Sequence, residues 1–202
     1  MKFVLASHNR GKIQEVKDIL EPLGIEIEPM PEDFPEIDEN GESFAENALI
    51  KARAVCQALG LPAVADDSGL VVDALDGFPG IHSARWAGPD ATAADRNRLL
   101  LERMLTVSEG QRGAQFVCVA ACVFPDGTEL AVRGQCRGTI LTEERGDGGF
   151  GYDPIFCVPE YRCTFGELAS DVKNAISHRA RAFTALGSAL CARMEEKGET
   201  TC

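Results

Sequence analysis

Apolar positions along this chain switch between a helical and a strand rhythm, and the switches fall at turn residues. Phe3-Val4-Leu5 is a short apolar run, after which Ile13, Val16, Leu20 and Leu23 share one helical face up to Gly24. The pattern predicts a strand and then a helix over 11–23. A second strand is predicted at 25–28. The following stretch, 29–41, is rich in proline and carboxylates and reads as an acidic loop. Ser43-Phe44-Ala45-Glu46 reads as a capping box, and Phe44, Ala48, Ala52, Val55 and Leu59 keep helical spacing to Gly60. Ala63-Val64-Ala65 and 70–74 read as two strands flanking Asp66-Asp67-Ser68-Gly69. That places carboxylates at a strand end, the edge where open α/β sheets bind ligands.

Farther along, 77–88 is a glycine-rich loop bearing aromatic residues, and Thr92 with Asp95 caps a helix reaching Leu105. Alternation over 116–124 and 128–136 around Pro125-Asp126-Gly127 predicts a hairpin, with 138–141 as its partner strand. The loop 146–154 is dense in glycine, 155–158 is a strand, and Ser177 caps a last helix carrying Phe183, Leu186, Leu190 and Met194. Residues 195–202 read as a flexible tail. No repeat or low-complexity linker interrupts the pattern, so residues 1–202 are expected to form one α/β domain.

Composition narrows the function classes. With 202 residues, 45% apolar and 26% charged, the chain is long enough for a good core. No run approaches the roughly 20 apolar residues of a spanning helix, and Met1-Lys2 leads into a strand pattern rather than a signal peptide, so a cytosolic, membrane-free protein is expected. A formal net charge of -12 argues against wrapping long nucleic acid. Eight cysteines without a secretion signal are expected to be reduced. Cys118 and Cys122 share one strand face and read as core thiols, since no second pair with zinc spacing follows.

Against that acidic background, the basic turn Ser7-His8-Asn9-Arg10-Gly11-Lys12 lies between a strand and a helix N-terminus, where free N–H groups and the macrodipole favour an anion. It lacks the Walker A glycines, and an ordinary capped turn with a solvated lysine is the alternative. Glu39, Asp66 and Asp67 have the oxygen character Mg2+ prefers beside substrate phosphates, the alternative being a turn whose Asp side chains cap backbone N–H groups. Taken together, a basic turn and carboxylates meet the needs of a nucleoside triphosphate. A third set, Phe150, Tyr152, Asp153, Lys173, His178 and Arg179, suits a flat heterocycle. Phe150 would stack on it, while His178 and Arg179 would donate to a carbonyl oxygen, favouring a 6-oxopurine over adenine. A surface His-Arg pair is the alternative.

These motifs resemble the family of non-canonical purine nucleoside triphosphate pyrophosphatases, the inosine/xanthosine triphosphatases. The similarity runs through nearly the whole chain: Ser7-x-Asn9-x-x-Lys12, Glu39 ahead of Ser43-Phe44-x-Glu46-Asn47-Ala48, Lys51-Ala52, Ala65-Asp66-Asp67-Ser68-Gly69-Leu70, Gly80-x-x-Ser83-Ala84-Arg85, 148–154, Lys173 and Ser177-His178-Arg179. The resemblance implies Mg2+-dependent hydrolysis of dITP, ITP and XTP to the monophosphate and pyrophosphate. It also implies a mixed sheet in two lobes around a nucleotide-binding cleft, and a homodimer. By the same resemblance Ser7, His8, Asn9, Arg10, Gly11, Lys12 and Lys51 hold the triphosphate. Asp67 accepts a proton and binds metal with Glu39 and Asp66, while Ser68, Phe150, Gly151, Tyr152, Asp153, Lys173, His178 and Arg179 contact nucleotide. The family often has Thr-Gly-Asn where this chain has Ser7-His8-Asn9, a change expected to narrow the space around the phosphates and act on affinity. Two rivals stay open: a pyrophosphatase for pyrimidine or modified nucleotides, as in the related septum-associated nucleotide hydrolases, and a purine nucleotide sensor that does not hydrolyse its ligand.

Overall fold

The computed structural model describes residues 2–198. Seven strands form one mixed sheet in the order β2-β1-β3-β4-β5-β6-β7. They are β1 (Lys2–Leu5), β2 (Glu26–Pro29), β3 (Ala63–Val72), β4 (Gly113–Val123), β5 (Glu129–Ile140), β6 (Phe156–Val158) and β7 (Cys163–Thr164). The helices are α1 (Arg10–Leu20), α2 (Phe44–Leu59), α3 (Ala93–Arg103), α4 (Ser170–Ile176) and α5 (His178–Glu196). Contacts divide the chain into two compact units. The first comprises Met1–Asp67, Cys118–Gly134 and His178–Cys202, and the second comprises Ser68–Val117 and Gln135–Ser177.

In the first unit β1 pairs in parallel with both β2 and β3. Strand alternation sorts its core into two layers. Phe3, Leu5, Val64, Cys118, Ala120 and Cys122 pack with Val16 and Leu20 of α1 and with Phe183, Leu186 and Leu190 of α5. Val4, Ala6, Ala63, Ala65 and Val123 pack instead with Ala52, Val55 and Cys56 of α2. So α1 and α5 cover one face of β1 and β3, and α2 covers the other. The close fit of α5 shows at Gly134 on β5, where an added Cβ would collide with the His178 carbonyl and the Ala182 amide. Only glycine lets β5 pass the first turn of α5.

In the second unit β5 pairs antiparallel with β6, and β6 with β7. Leu70, Val72, Leu100, Met104, Phe116, Phe156 and Phe165 form its core. Arg112 is buried there, and its guanidinium donates to the carbonyls of Met104, Val107, Ile140 and Leu141. A buried charge is held in this case by backbone dipoles rather than by a carboxylate.

Four expectations need correction. The two strands predicted around residues 66–69 are one continuous strand, β3, so Asp66-Asp67-Ser68-Gly69 lies inside it. Polar residues there interrupt the apolar pattern without interrupting the ladder. Likewise 128–136 and 138–141 are a single strand, β5. Residues 195 and 196, expected to lie in a flexible tail, belong to α5, and Lys197 donates to Asp126 at 2.7 Å. Residues 199–202 lie outside the described residues. Cys56, Cys118, Cys122, Cys136, Cys157 and Cys163 are free thiols as expected, whereas Cys191 is in a disulfide. Among the described residues no helix is long and apolar enough to cross a membrane.

Candidate active site

The first unit brings together Ser7 to Lys12, Glu39, Lys51, Asp66, Asp67, His178 and Arg179. Asn9 caps α1, its Oδ1 accepting from the Lys12 amide at 3.1 Å, and the Asn9 amide donates to Ser7 Oγ at 3.2 Å. The His8 ring is held by Nε2–H donating to the Pro31 carbonyl at 3.0 Å. The first turn of α1 carries Arg10 and Lys12 and no acidic residue. Cations there oppose the helix dipole by a few tenths of a kcal/mol each, an arrangement that a bound anion relieves.

Because β3 is continuous, adjacent residues point to opposite faces. Asp66 faces α1 and α5. Lys12 Nζ lies 3.2 Å from each of its oxygens, Arg179 Nη2 donates to Oδ2 at 3.3 Å, and the Cys118 thiol lies 3.9 Å from the same oxygen. Arg179 Nη1 also donates to Glu15. The Asp66 and Arg179 side chains are 1% and 2% exposed. Burial works against the Arg179 charge, but Asp66 and Glu15 more than offset it and hold the guanidinium protonated.

Asp67 faces α2. Its Oδ2 accepts from Asn47 Nδ2 at 3.0 Å, and one turn along α2 the ammonium of Lys51 pairs with Glu39 at 2.8 Å. Burial pushes the Asp67 carboxyl above its ordinary value; Lys51, Asn47 and Lys12 pull it back, and Glu39 adds to the rise. Two carboxylates in each other's field, one of them buried, are a charge excess that a divalent cation would relieve. Among the described residues no three His, Cys, Asp or Glu side chains converge as a metal cage. Glu39 and Asp67 are oxygen ligands of the kind Mg2+ takes one or two of, leaving other positions to water and phosphate.

The second unit holds Ser68 on β3 together with Phe150, Gly151, Tyr152, Asp153 and Lys173. Lys173 sits on α4, a helix the sequence reading omitted. Its ammonium reaches Asp153 Oδ2 at 2.8 Å and lies 4.6 Å from the centre of the Phe150 ring. The same Oδ2 accepts from the Phe150 amide at 2.7 Å. Gly149 has φ 73°, and a Cβ there would collide with the Asp153 carboxylate, so the loop closes on that group only with glycine. The Phe150 ring is half-exposed. Tyr152 is buried instead, and its hydroxyl is engaged by Trp86 and by the Ser83 carbonyl.

Four groups escaped the sequence reading. Asn47, Glu15, Cys118 and Trp86 each touch a residue assigned to the site, although only Asn47 stood in a quoted motif. Glu15 had a local signal, since it follows Lys12 by three residues on the same helix face. Cys118 and Trp86 had none, because their partners are distant in the chain.

The model of the Ham1 family matches residues 3–189. The dITP/XTP pyrophosphatase of Symbiobacterium thermophilum is 50% identical over 196 residues, covering 96% of this chain and 98% of that protein. That of Frankia alni is 50% identical over 197 residues, with 94% and 97% covered. Among solved structures, a HAM1 protein from Coxiella burnetii matches with a TM-score of 0.87 at 44% identity over 94% of this chain and 98% of the other. The Staphylococcus aureus Ham1 protein matches with 0.85 at 37% identity over 99% and 100%. With the motif residues arranged as described and the similarity extending from β1 into α5, the chain belongs to the Ham1 family.

Proposed function

We propose that this protein hydrolyses dITP, ITP and XTP to the nucleoside monophosphate and pyrophosphate with Mg2+, clearing non-canonical purines from the nucleotide pool. Membership of the family makes it a nucleoside triphosphate hydrolase; the substrate list and the metal are the proposal's own. One observation carries it. A buried Asp67, raised above the ordinary carboxylate range, lies in the field of Glu39, Lys51 and Lys12, and Lys12 is in the first turn of a helix that opens with cations.

In this reading the first turn of α1 and Lys51 receive the triphosphate, since N–H groups and ammonium groups are what phosphate oxygens require. Asp67 orients a water for in-line attack and accepts its proton, a role its raised affinity for protons suits. The bond broken lies between the α and β phosphates, and Lys12 and Lys51 offset the charge on the departing pyrophosphate. Glu39 and Asp67 would hold Mg2+, which supplies further neutralisation of phosphate charge when bound. Phe150 would stack on a base, and His178 would supply a donor toward a 6-oxo group, whereas the Arg179 guanidinium is held by Asp66 and Glu15. Adenine, with an amine at that position, would leave such a donor unpaired.

The test is pyrophosphate release from purified protein with Mg2+, comparing dITP, XTP, ATP, GTP and dTTP at equal concentration, with an EDTA control. Metal-dependent release confined to dITP and XTP is expected. Preference for dTTP would replace the purine reading with the pyrimidine one, and binding without release would indicate a sensor. Light scattering of the same preparation tests the expected homodimer.

A further inference from the structure

Tyr152 was expected to contact nucleotide, yet its hydroxyl is committed elsewhere. Trp86 Nε1–H donates to Tyr152 Oη at 2.7 Å, and Tyr152 Oη–H donates to the Ser83 carbonyl at 2.7 Å. Both ends of this chain have fixed polarity. An indole N–H can only donate and a carbonyl can only accept, so the phenol must be neutral and must do both. Burial pushes its pKa up, which keeps it in that form. Ser83 is itself held in place. Its Oγ accepts from the Leu70 amide at 2.9 Å and donates to the Gly80 carbonyl at 2.6 Å. Leu70 is two residues beyond Ser68 on β3. The chain thus ties the glycine loop to the strand that carries Ser68.

Trp86 also packs against side chains outside this chain of hydrogen bonds. Its ring meets Phe78 edge to face with centroids 4.9 Å apart, and the Arg103 guanidinium lies 4.3 Å from the Phe78 ring and 4.7 Å from the Trp86 ring. Such a fixture has a physical purpose. Gly149 and Gly151, with φ 73° and 65°, flank Phe150 in a loop of high backbone freedom. Without an anchor next to Phe150 and Asp153, the stacking ring and the Lys173 partner would sample many positions before a base arrived.

We propose that Trp86 and Tyr152 form a hydrogen-bonded anchor that sets the loop 148–153 in its base-recognising conformation, making Trp86 a positioning residue for purine selection. The proposal rests on the purine reading given above, and it deepens that reading by separating Tyr152 from the residues that touch the base.

Trp86→Phe and Tyr152→Phe are the direct variants, and Phe78→Leu, which removes a packed ring but leaves both hydrogen bonds, is the packing control. With dITP as substrate, Trp86→Phe is expected to raise KM about five-fold and Tyr152→Phe about ten-fold or more, each with kcat within about two-fold. The preference for dITP over ATP should fall by similar factors. The double variant should be no worse than Tyr152→Phe, because both remove the same chain. Phe78→Leu should lower the melting temperature while leaving KM within about two-fold. Amide hydrogen exchange of 148–153 is the readout that needs no substrate, and it should rise about five-fold or more in Tyr152→Phe but not in Phe78→Leu. Wild-type KM and preference in Tyr152→Phe, or equal KM effects in Phe78→Leu, would overturn the anchor, and so would unchanged loop exchange. Failure of the wild type to hydrolyse dITP would defeat the purine reading alone, leaving the exchange measurement to judge the anchor.

Discussion

Asp66 and Asp67 are chain neighbours with the same side chain, and the structure predicts opposite effects when each becomes asparagine. Asp66 is the carboxylate of a buried ion pair. Its side chain is 1% exposed, Arg179 opposite it is 2% exposed, and Lys12 reaches both oxygens. Asp66→Asn preserves shape but removes the charge that faces the Arg179 guanidinium, while the hydrogen bond to Glu15 is kept. Breaking one side of a buried pair costs about 3–5 kcal/mol. The retained Glu15 contact places this case near the lower figure, about 3 kcal/mol. For a chain of this size each kcal/mol moves Tm by roughly 2–4 °C, so a fall of about 6–12 °C is expected.

Asp67 has the reverse sign. Burial raises its carboxyl pKa in the folded state, so the ionised group at neutral pH is held at a cost that the unfolded chain does not bear. Asp67→Asn removes that cost while keeping an oxygen to accept from Asn47. Its Tm should equal or exceed that of the wild type, and any gain should vanish as pH falls below the ordinary carboxylate value of 3.8. Thermal unfolding followed by circular dichroism in EDTA, with urea titration as a second measure, makes the comparison without bound metal. An Asp66→Asn protein melting within about 2 °C of wild type, less than about 1 kcal/mol, would refute the assignment of opposite faces. Equal destabilisation by both variants would refute it as well.

Other consequences are open to simple assays. Asp67→Asn should lower kcat at least about 100-fold while changing nucleotide affinity little, as expected for a lost proton acceptor, measured by pyrophosphate release and by nucleotide titration. Glu39→Gln should raise the Mg2+ concentration needed for half-maximal rate and release Lys51 from its 2.8 Å partner; an unchanged Mg2+ dependence would remove Glu39 from the metal set. Gly149→Ala should weaken dITP binding, because the new Cβ strikes the Asp153 carboxylate that Lys173 and the Phe150 amide share, and calorimetric titration reads the loss. Asp126 is held below the ordinary carboxylate range by Lys197, Thr128 and Arg193. Its stabilisation is present above pH 3.8 and lost on further acidification, so the Tm gap between wild type and Asp126→Asn should close as pH falls below that value.

Helices α1, α2, α3 and α5 were legible in the sequence because their signals are local, whereas the seven-residue α4, with Ala169 at its N-cap and no side-chain cap, left none. Thr92 and Asp95 form the capping box that their spacing announces, and Ser43 Oγ accepts from the Glu46 amide as the motif requires. Even here the local detail differs, since Glu46 accepts from the Glu42 amide at 2.7 Å rather than from that of Ser43, and the box is half made. The residue types of the candidate site could be proposed from sequence as well, since a phosphate would call for cations and a metal for carboxylates. Their grouping was not. Lys12 and Arg179 lie 54 and 113 residues from Asp66, and nothing local ties either to it. Asp66 and Asp67 read as a pair because a polar insertion in an apolar pattern resembles a strand end. A ladder that continues through residues 66–69 turns that pair into two groups on opposite faces, each met by a different helix. The division of labour at this site therefore turns on one property of β3, its continuity, which hydrophobicity could not reveal. The polar residues are tolerated within β3 because α1 and α5 bring cations to one face and α2 brings an amide to the other.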